Sequence, residues 1–363
     1  MDRKIRIGIT QGDINGIGYE LILKTFSEPM LMDMCTPIIY GSPKVATFHR
    51  KALELNTTFV AIDSAEDAVE GKLNLVTCFE EEVRIELGKA TQESGAAALI
   101  ALEYAMQDYE NGLIDALVTA PVNAHVMQNE SIHFQGHTEY LEDKLGEGEK
   151  ALMILLKDHI RVALVTEHIP VKDIASTITK ELIMEKATTL YDSLQHDFLI
   201  NNPRIAVLAL NPHAGDENLL GMEETDKIIP AIEELRDNGI QCFGPYAAEG
   251  FFGSDNLTKF DAVLAMYHDQ ALIPFRSLGM FEGVNYTAGL PLIRTAPAHG
   301  TGYDIAGKNE ADETAFRNAI YAAMDIYRCR RTDDYANRNP LRKLFTAKRD
   351  DSDKLKLDEE EAS

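Results

Sequence analysis

Several features that mark other protein classes are scarce or absent in this chain of 363 residues. No apolar run approaches the roughly 20 residues that cross a bilayer, and the N-terminal apolar run is too short for a secretory signal. We therefore expect a cytoplasmic protein with no membrane partner. The four cysteines are scattered with no CxxC pair, which argues against a thiolate zinc site and a disulfide framework. They are Cys35, Cys78, Cys242 and Cys329.

Positive charge is also scarce. The 35 lysines and arginines face 59 aspartates and glutamates, which leaves a formal net charge of −24. Such a field repels nucleic acid at long range, so no nucleic-acid partner is expected. An anionic substrate would need a local basic pocket to overcome the same field.

The N-terminal strand-to-helix turn lacks a dinucleotide-binding fingerprint. Lys4 to Thr10 alternates like a strand, and a helical apolar pattern follows from about Gly16. A glycine-bearing turn there can present N–H groups to a phosphate. However, Gly12, Gly16 and Gly18 do not spell GxGxxG, so we do not expect an ordinary Rossmann site.

The length and the alternation of patterns indicate an α/β protein with two lobes. Single cores stop growing near roughly 250–300 residues, and this chain is longer. Strand patterns such as Ala116 to Asn123 alternate with helical ones such as Lys180 to Phe198, which is typical of a parallel α/β sheet. Residues 346–363 are acidic and almost free of apolar side chains, so we expect a disordered tail.

Three histidines follow hydrophobic strand patterns, and they are candidates for a metal site. His168, His213 and His268 come after the runs 162–166, 205–210 and 262–266. Parallel strand ends meet at one edge of a sheet, and three imidazoles with an open position describe a catalytic metal centre. Asp269 and Asp216 could orient two of these rings. The alternative is that each ring binds a backbone carbonyl and has only a structural role.

The stretch 261–307 also contains candidates for binding an anion. Arg276, Asn285, Arg294 and His299 are interleaved there with six glycines, and His299 has no assigned role. Arg294 lies inside an apolar run, where a guanidinium needs an anionic partner. Upstream, His137 and Thr138 lie at the predicted start of a helix, which favours anion contact.

Several motifs, in order along residues 4 to 325, resemble those of the 4-hydroxythreonine-4-phosphate dehydrogenase family, PdxA, of vitamin B6 synthesis. They are GDINGIG, TAPVN, GHTEYL, LNPHAG, AMYHDQ, GVNYTAGLPLIRT and HGT with IAG. The resemblance implies a two-lobed fold like that of isocitrate and isopropylmalate dehydrogenases, with a cleft between the lobes. It also implies a homodimer with sites at the subunit interface and an NAD or NADP site that is not Rossmann. We place the first lobe at 1–135 plus 296–335 and the second at 136–295.

The same resemblance implies roles for individual residues. The metal would be divalent, with zinc expected first and magnesium or cobalt as alternatives. The family motifs differ from this chain at Arg276, where lysine is usual, and at Ala124, where TAPxNK is common. The implied metal ligands are His168, His213 and His268, and the implied substrate contacts are His137, Thr138, Arg276, Asn285 and Arg294.

The implied reaction is the oxidation and decarboxylation of 4-phosphooxy-L-threonine to 3-amino-2-oxopropyl phosphate. Asp269 or Asp255 would take the hydroxyl proton. Because of Arg276 and Ala124, an alternative is a catabolic paralogue acting on 4-phosphoerythronate or 4-phosphothreonate. A phosphate acyltransferase and a non-enzymatic metal- or phosphate-binding protein are the other two alternatives.

Overall fold

A computed structural model of the chain describes residues 3–80, 82–128, 134, 136–145, 148–279 and 281–338. The predicted acidic tail at 346–363 lies outside these residues. The strands are β1 Arg6–Thr10, β2 Thr36–Gly41, β3 Val60–Ile62, β4 Asn74–Thr77, β5 Ala116–Thr119, β6 Leu152–Lys157, β7 Ile160–Leu164, β8 Arg204–Leu208, β9 Gln241–Tyr246, β10 Ala262–Ala265, β11 Val284–Ala288 and β12 Arg294–Pro297. The helices are α1 Gly18–Thr25, α2 Met30–Met34, α3 Pro43–Ala52, α4 Gln92–Glu110, α5 His137–Leu145, α6 Ile174–Thr177, α7 Lys180–His196, α8 Ile229–Asp237, α9 Ala248–Phe252, α10 His268–Gly279 and α11 Thr314–Asn337.

All twelve strands form one sheet in the order β3-β4-β2-β1-β5-β12-β11-β6-β7-β10-β8-β9. From β3 to β12 the neighbours are parallel, and from β7 to β9 they are parallel again. In the middle, β11 is antiparallel to β12 and β6, and β6 is antiparallel to β7. The two halves therefore run in opposite directions, so the carboxyl ends of β7, β10 and β8 share an edge with the amino end of β12.

The sheet is covered on both faces, as a largely parallel sheet requires. Every residue of β2 is buried, and its side chains alternate between two apolar clusters. Ile39 belongs to a cluster that includes side chains of α1 and α11, whereas Ile38 and Tyr40 belong to one that includes α4. This is the predicted α/β architecture. No helix in the described part of the chain is long and apolar enough to cross a membrane.

A buried imidazole anchors the glycine-bearing turn after β1. His49 of α3 stacks on Tyr19 with ring centroids 5.3 Å apart, and its Nε2 donates to the carbonyl of Ile14 at 2.8 Å. Burial lowers the pKa of His49 to about 4, because the charged imidazolium loses its hydration. The ring is therefore neutral in the folded protein at pH 7.

This burial makes stability depend on pH. The unfolded chain takes up a proton on His49 below about pH 6.5, whereas the folded chain does so only near pH 4. Stability should therefore fall as the pH decreases from 6.5 towards 4, by about 2 kcal/mol at pH 5 from this residue. Urea unfolding of the wild type and a His49→Gln variant at pH 7 and pH 5 tests this. An equal pH dependence in the two proteins would contradict the prediction.

Candidate active site

The edge of the sheet at β7 and β10 brings two of the predicted metal histidines together. The strand ladder continues past both ends, with the N–H of Val165 donating to the carbonyl of Ala265 at 2.8 Å. His168 and His268 follow within a few residues, and their ring centroids lie 5.9 Å apart. The predicted convergence of strand ends therefore holds for this pair.

Each of the three predicted histidines has a carboxylate at its Nδ1. His168 pairs with Glu139 at 2.8 Å, His268 with Asp269 at 2.8 Å, and His213 with Glu249 at 3.1 Å. Carboxylates in this position are typical of metal-binding imidazoles, because they fix the ring and leave Nε2 free to coordinate. The structural alternative, in which each ring binds a backbone carbonyl, does not describe these contacts.

His213 lies on a loop with unusual backbone geometry. Residues 213–218 all have φ between 45° and 82°, a left-handed conformation that costs roughly 1–2 kcal/mol for each residue other than glycine. The buried carboxylate of Glu224 holds the preceding backbone, since its Oε1 accepts from the N–H groups of Leu210 and Asn211 at 2.9 and 2.7 Å. The cost of the strained loop indicates a functional constraint on His213.

The loop also corrects the role expected for Asp216. The N–H of Asp216 donates to the carbonyl of His213 at 3.2 Å, but the carboxylate at the imidazole comes from Glu249 in α9. By contrast, Asp269 does contact His268, with its Oδ1 at 2.8 Å from Nδ1.

Within the described chain, one set of three candidate ligand groups lies within 4.8 Å of one another. It consists of Glu139, Glu167 and His168. His213, whose side chain is 71% exposed, is not part of that set. His268 is not part of that set either, so the three predicted histidines do not form one cluster of ligand groups in the described chain.

Arg294 is the main cation of the site. It begins β12, is only 4% exposed, and donates from Nε and Nη2 to the hydroxyl of Thr119 at 3.0 and 2.6 Å. Its Nη1 donates to the hydroxyl of Thr287 at 3.3 Å. Among the described residues no carboxylate lies within 4 Å of it, so the guanidinium is buried without a direct counter-ion. Burial lowers the pKa of Arg294 to about 9, and the negative charges of Glu139 and Glu167 oppose that shift.

Three other predicted substrate residues, His137, Thr138 and Asn285, lie on α5 and β11. Burial, together with the charge of Arg294, holds the pKa of His137 well below its ordinary value, so this imidazole is neutral. Thr138 is buried in the first turn of α5. Asn285 donates from Nδ2 to Met153 Sδ at 3.1 Å, while its Oδ1 is buried with no partner in the described structure. Such an unsatisfied oxygen indicates a donor on a ligand or a water.

The structure places the other two predicted site residues at the surface. Asp255 is 75% exposed and pairs with Lys259 at 2.8 Å. Arg276 is exposed on α10, and its charge contributes to lowering the pKa of His299, after the larger effect of burial. The described contacts thus bring neither residue to Arg294.

Comparisons with known proteins relate the chain to one family. The family model described as pyridoxal phosphate biosynthetic protein PdxA matches residues 33–323. A 4-hydroxythreonine-4-phosphate dehydrogenase of Bacteroides thetaiotaomicron is 60% identical over 357 residues, covering 98% of both chains. The chain belongs to the PdxA family.

Solved structures agree with membership of the PdxA family. The 4-hydroxythreonine-4-phosphate dehydrogenase of Klebsiella pneumoniae is similar with a TM-score of 0.77 and 29% identity, covering 89% of this chain and 98% of that one. The enzyme of Burkholderia phymatum has a TM-score of 0.72 and 32% identity, covering 90% and 99%. These matches confirm the predicted α/β fold and family, and the chain is an oxidoreductase.

Some residues of the site in this PdxA chain were not predicted from its sequence, among them Glu139, Thr287 and the three below. The sequence does contain an indication of Glu167, since this residue lies between a buried strand pattern and His168. The sequence also indicates Thr119, because this residue ends the buried strand pattern in ALVTAP. Nothing in the sequence indicates Glu249, because only the fold brings α9 to His213.

Proposed function

We propose that the protein is a cytoplasmic, NAD- or NADP-dependent 4-hydroxythreonine-4-phosphate dehydrogenase. It would oxidise and decarboxylate 4-phosphooxy-L-threonine to 3-amino-2-oxopropyl phosphate in the synthesis of pyridoxal 5'-phosphate. Membership of the PdxA family and the relative with 60% identity support this reaction. The observation that carries the proposal is the carboxylate at each predicted metal histidine, next to a buried arginine.

The residues present fit a divalent metal. With Nδ1 of each ring held by a carboxylate, His168, His213 and His268 would each offer Nε2, the neutral nitrogen that zinc, cobalt and related ions accept. When bound, such a metal would lower the pKa of the substrate hydroxyl and stabilise negative charge on its oxygen. Zinc is the metal we propose first, with magnesium and cobalt as alternatives.

The chain's own residues would bind and orient the substrate. In the described part of the chain, the hydrogen bonds of the buried Arg294 guanidinium go to the hydroxyls of Thr119 and Thr287, so its charge can hold a phosphate or carboxylate group. His137 and Thr138 lie on the adjoining helix α5 and would contact the same anion, and Asn285 would accept a hydrogen bond with its free Oδ1. Arg276 would contribute from α10 only where the assembled site brings it near.

Proton transfer is proposed for Asp269 rather than Asp255. Asp269 lies beside His268 at the sheet edge, whereas Asp255 is paired with Lys259 on the surface. Hydride would pass to the nicotinamide of NAD or NADP, which supplies the redox chemistry.

The proposal includes a homodimer with the site at the subunit interface. Apolar side chains are exposed around the site elements, where a partner would cover them. Neither His213 nor His268 belongs to the described set of three ligand groups, and the His213 side chain is 71% exposed, so we propose that the second subunit completes the site. The exposed side chains are Val171, Leu219, Met222, Ile273 and Phe281.

Nucleotide reduction followed by absorbance tests the proposed function. We expect reduction of NAD or NADP with 4-phosphooxy-L-threonine, loss of it after chelation, and recovery on adding zinc, cobalt or magnesium. 4-Phosphoerythronate and 4-phosphothreonate should react with kcat/KM about 100-fold lower, since they lack the amino group that the site would bind. The names of the relatives do not favour the catabolic alternative. Faster turnover of either acid would nevertheless establish it.

A further inference from the structure

The first turn of α5 contributes a carboxylate that the proposed reaction does not itself use. Glu139 accepts a hydrogen bond through Oε1 from Nδ1 of His168 at 2.8 Å, while its Oε2 is buried with no partner in the described structure. A Cβ atom at Gly136 would lie 2.6 Å from that Oε2. Glycine at 136 therefore leaves the space that the carboxylate occupies.

We propose that Glu139 is a positioning residue for His168, which it holds in the tautomer that presents Nε2 to a divalent cation. This inference rests on the proposed function, because it assigns His168 as a ligand. A carboxylate that accepts from Nδ1 prevents rotation of the ring and makes Nε2 more basic. The negative charge of Glu139 also opposes the lowering of the pKa of Arg294 by burial, so Glu139 links the proposed metal and anion subsites.

The contacts distinguish positioning from direct coordination. Glu139, Glu167 and His168 present ligand atoms within 4.8 Å of one another, which would also suit a cation bound by the carboxylates themselves. However, the short contact joins Oε1 of Glu139 to Nδ1 of His168, so these two atoms satisfy each other. The nitrogen that remains is Nε2 of a ring whose neighbour, 5.9 Å away between centroids, is His268.

Metal affinity of the full-length protein tests the proposal without relying on turnover. We would measure the dissociation constants of Zn²⁺ and Co²⁺ by competition with a chromophoric chelator, and record the visible spectrum of the Co²⁺ protein. Glu139→Ala should weaken binding by about 10- to 100-fold. Glu139→Gln keeps an acceptor oxygen but loses the charge, so about tenfold is expected. The shape of the Co²⁺ spectrum should not change in either variant.

Asp143→Asn is the matched control, because it removes one negative charge one turn further along the same helix at an exposed position. It should bind both metals like the wild type. Wild-type affinity in Glu139→Gln would overturn the proposal, and so would a Co²⁺ spectrum that shows a lost ligand, because Glu139 would then coordinate directly. If His268→Ala loses the metal while both Glu139 variants keep it, the proposed function survives and only this inference fails. A wild-type protein that binds no divalent cation would overturn both.

Discussion

Replacing His213 by alanine is expected to lower kcat by about 1000-fold while leaving the fold intact. The side chain is 71% exposed, so its removal leaves no cavity in the core. The proposed metal would lose one of its three nitrogen ligands. A bound metal stabilises the charge of the transition state by several kcal/mol. Each 1.36 kcal/mol of that stabilisation corresponds to a factor of ten in rate, so its loss lowers kcat strongly. Steady-state rates and metal content per subunit check this, and His168→Ala and His268→Ala should behave alike.

His159→Ala is the control, since that histidine is exposed on the turn between β6 and β7. It should keep wild-type activity and metal content. If His213→Ala also keeps both, His213 is not a ligand.

Mixing two inactive variants tests whether the site is shared between subunits. In a symmetric dimer, His213→Ala and His268→Ala subunits that exchange should regain about a quarter of the activity, because each mixed dimer has one complete site. No recovery after demonstrated exchange would place both histidines in the same subunit's site.

The sequence predicted much of this edge of the sheet because the signal there is simple. Buried strands appear as continuous apolar runs, and the polar residue after each run must lie at a strand end. His168 and His268 meet as expected, since β7 and β10 are adjacent and parallel. Arg294 is buried as expected, because an arginine in the run GLPLIRTAP has no route to solvent.

The reversal of direction in the middle of the sheet could not be predicted in the same way. The antiparallel pair of β11 with β6 is a long-range pairing that no local pattern records, whereas β6 with β7 and β11 with β12 pair strands that are consecutive in the chain. One reversal of direction is made by the turn between β6 and β7, where Asp158 has a φ of 50°. The predicted parallel α/β sheet did not include this turn, although the reversal puts the start of β12 at the same edge of the sheet as the ends of β7 and β10.

Sequence proximity was also a poor guide to the carboxylate that holds His213. Asp216 is three positions away, yet the carboxylate that pairs with the imidazole belongs to Glu249. Glu249 reaches the ring because α9 follows β9, the strand next to β8. Such a contact is a property of topology and could be found only from the fold.

Replacing Arg294 by methionine is expected to separate activity from stability. Loss of a buried charge that binds an anion costs about 2–5 kcal/mol, so kcat/KM should fall by about 30- to 5000-fold. The free energy of unfolding should change by less than about 2 kcal/mol, because relief of the buried cation offsets the lost hydrogen bonds to Thr119 and Thr287. Arg294→Lys should recover little activity, since lysine cannot donate in the same planar geometry.

Thr119→Val is the companion variant, because it leaves the charge in place and removes only the hydroxyl that accepts from Nε and Nη2. If Thr119 positions the guanidinium for the substrate, the guanidinium should shift in this variant. The KM for the substrate should then rise by a larger factor than kcat falls. The opposite pattern, in which Arg294→Met unfolds readily and the residual folded protein binds substrate normally, would make Arg294 a structural residue. A ligand that binds only the folded protein raises its melting temperature. If Arg294 binds the substrate, saturating substrate should therefore raise the melting temperature of the wild type and leave that of Arg294→Met unchanged.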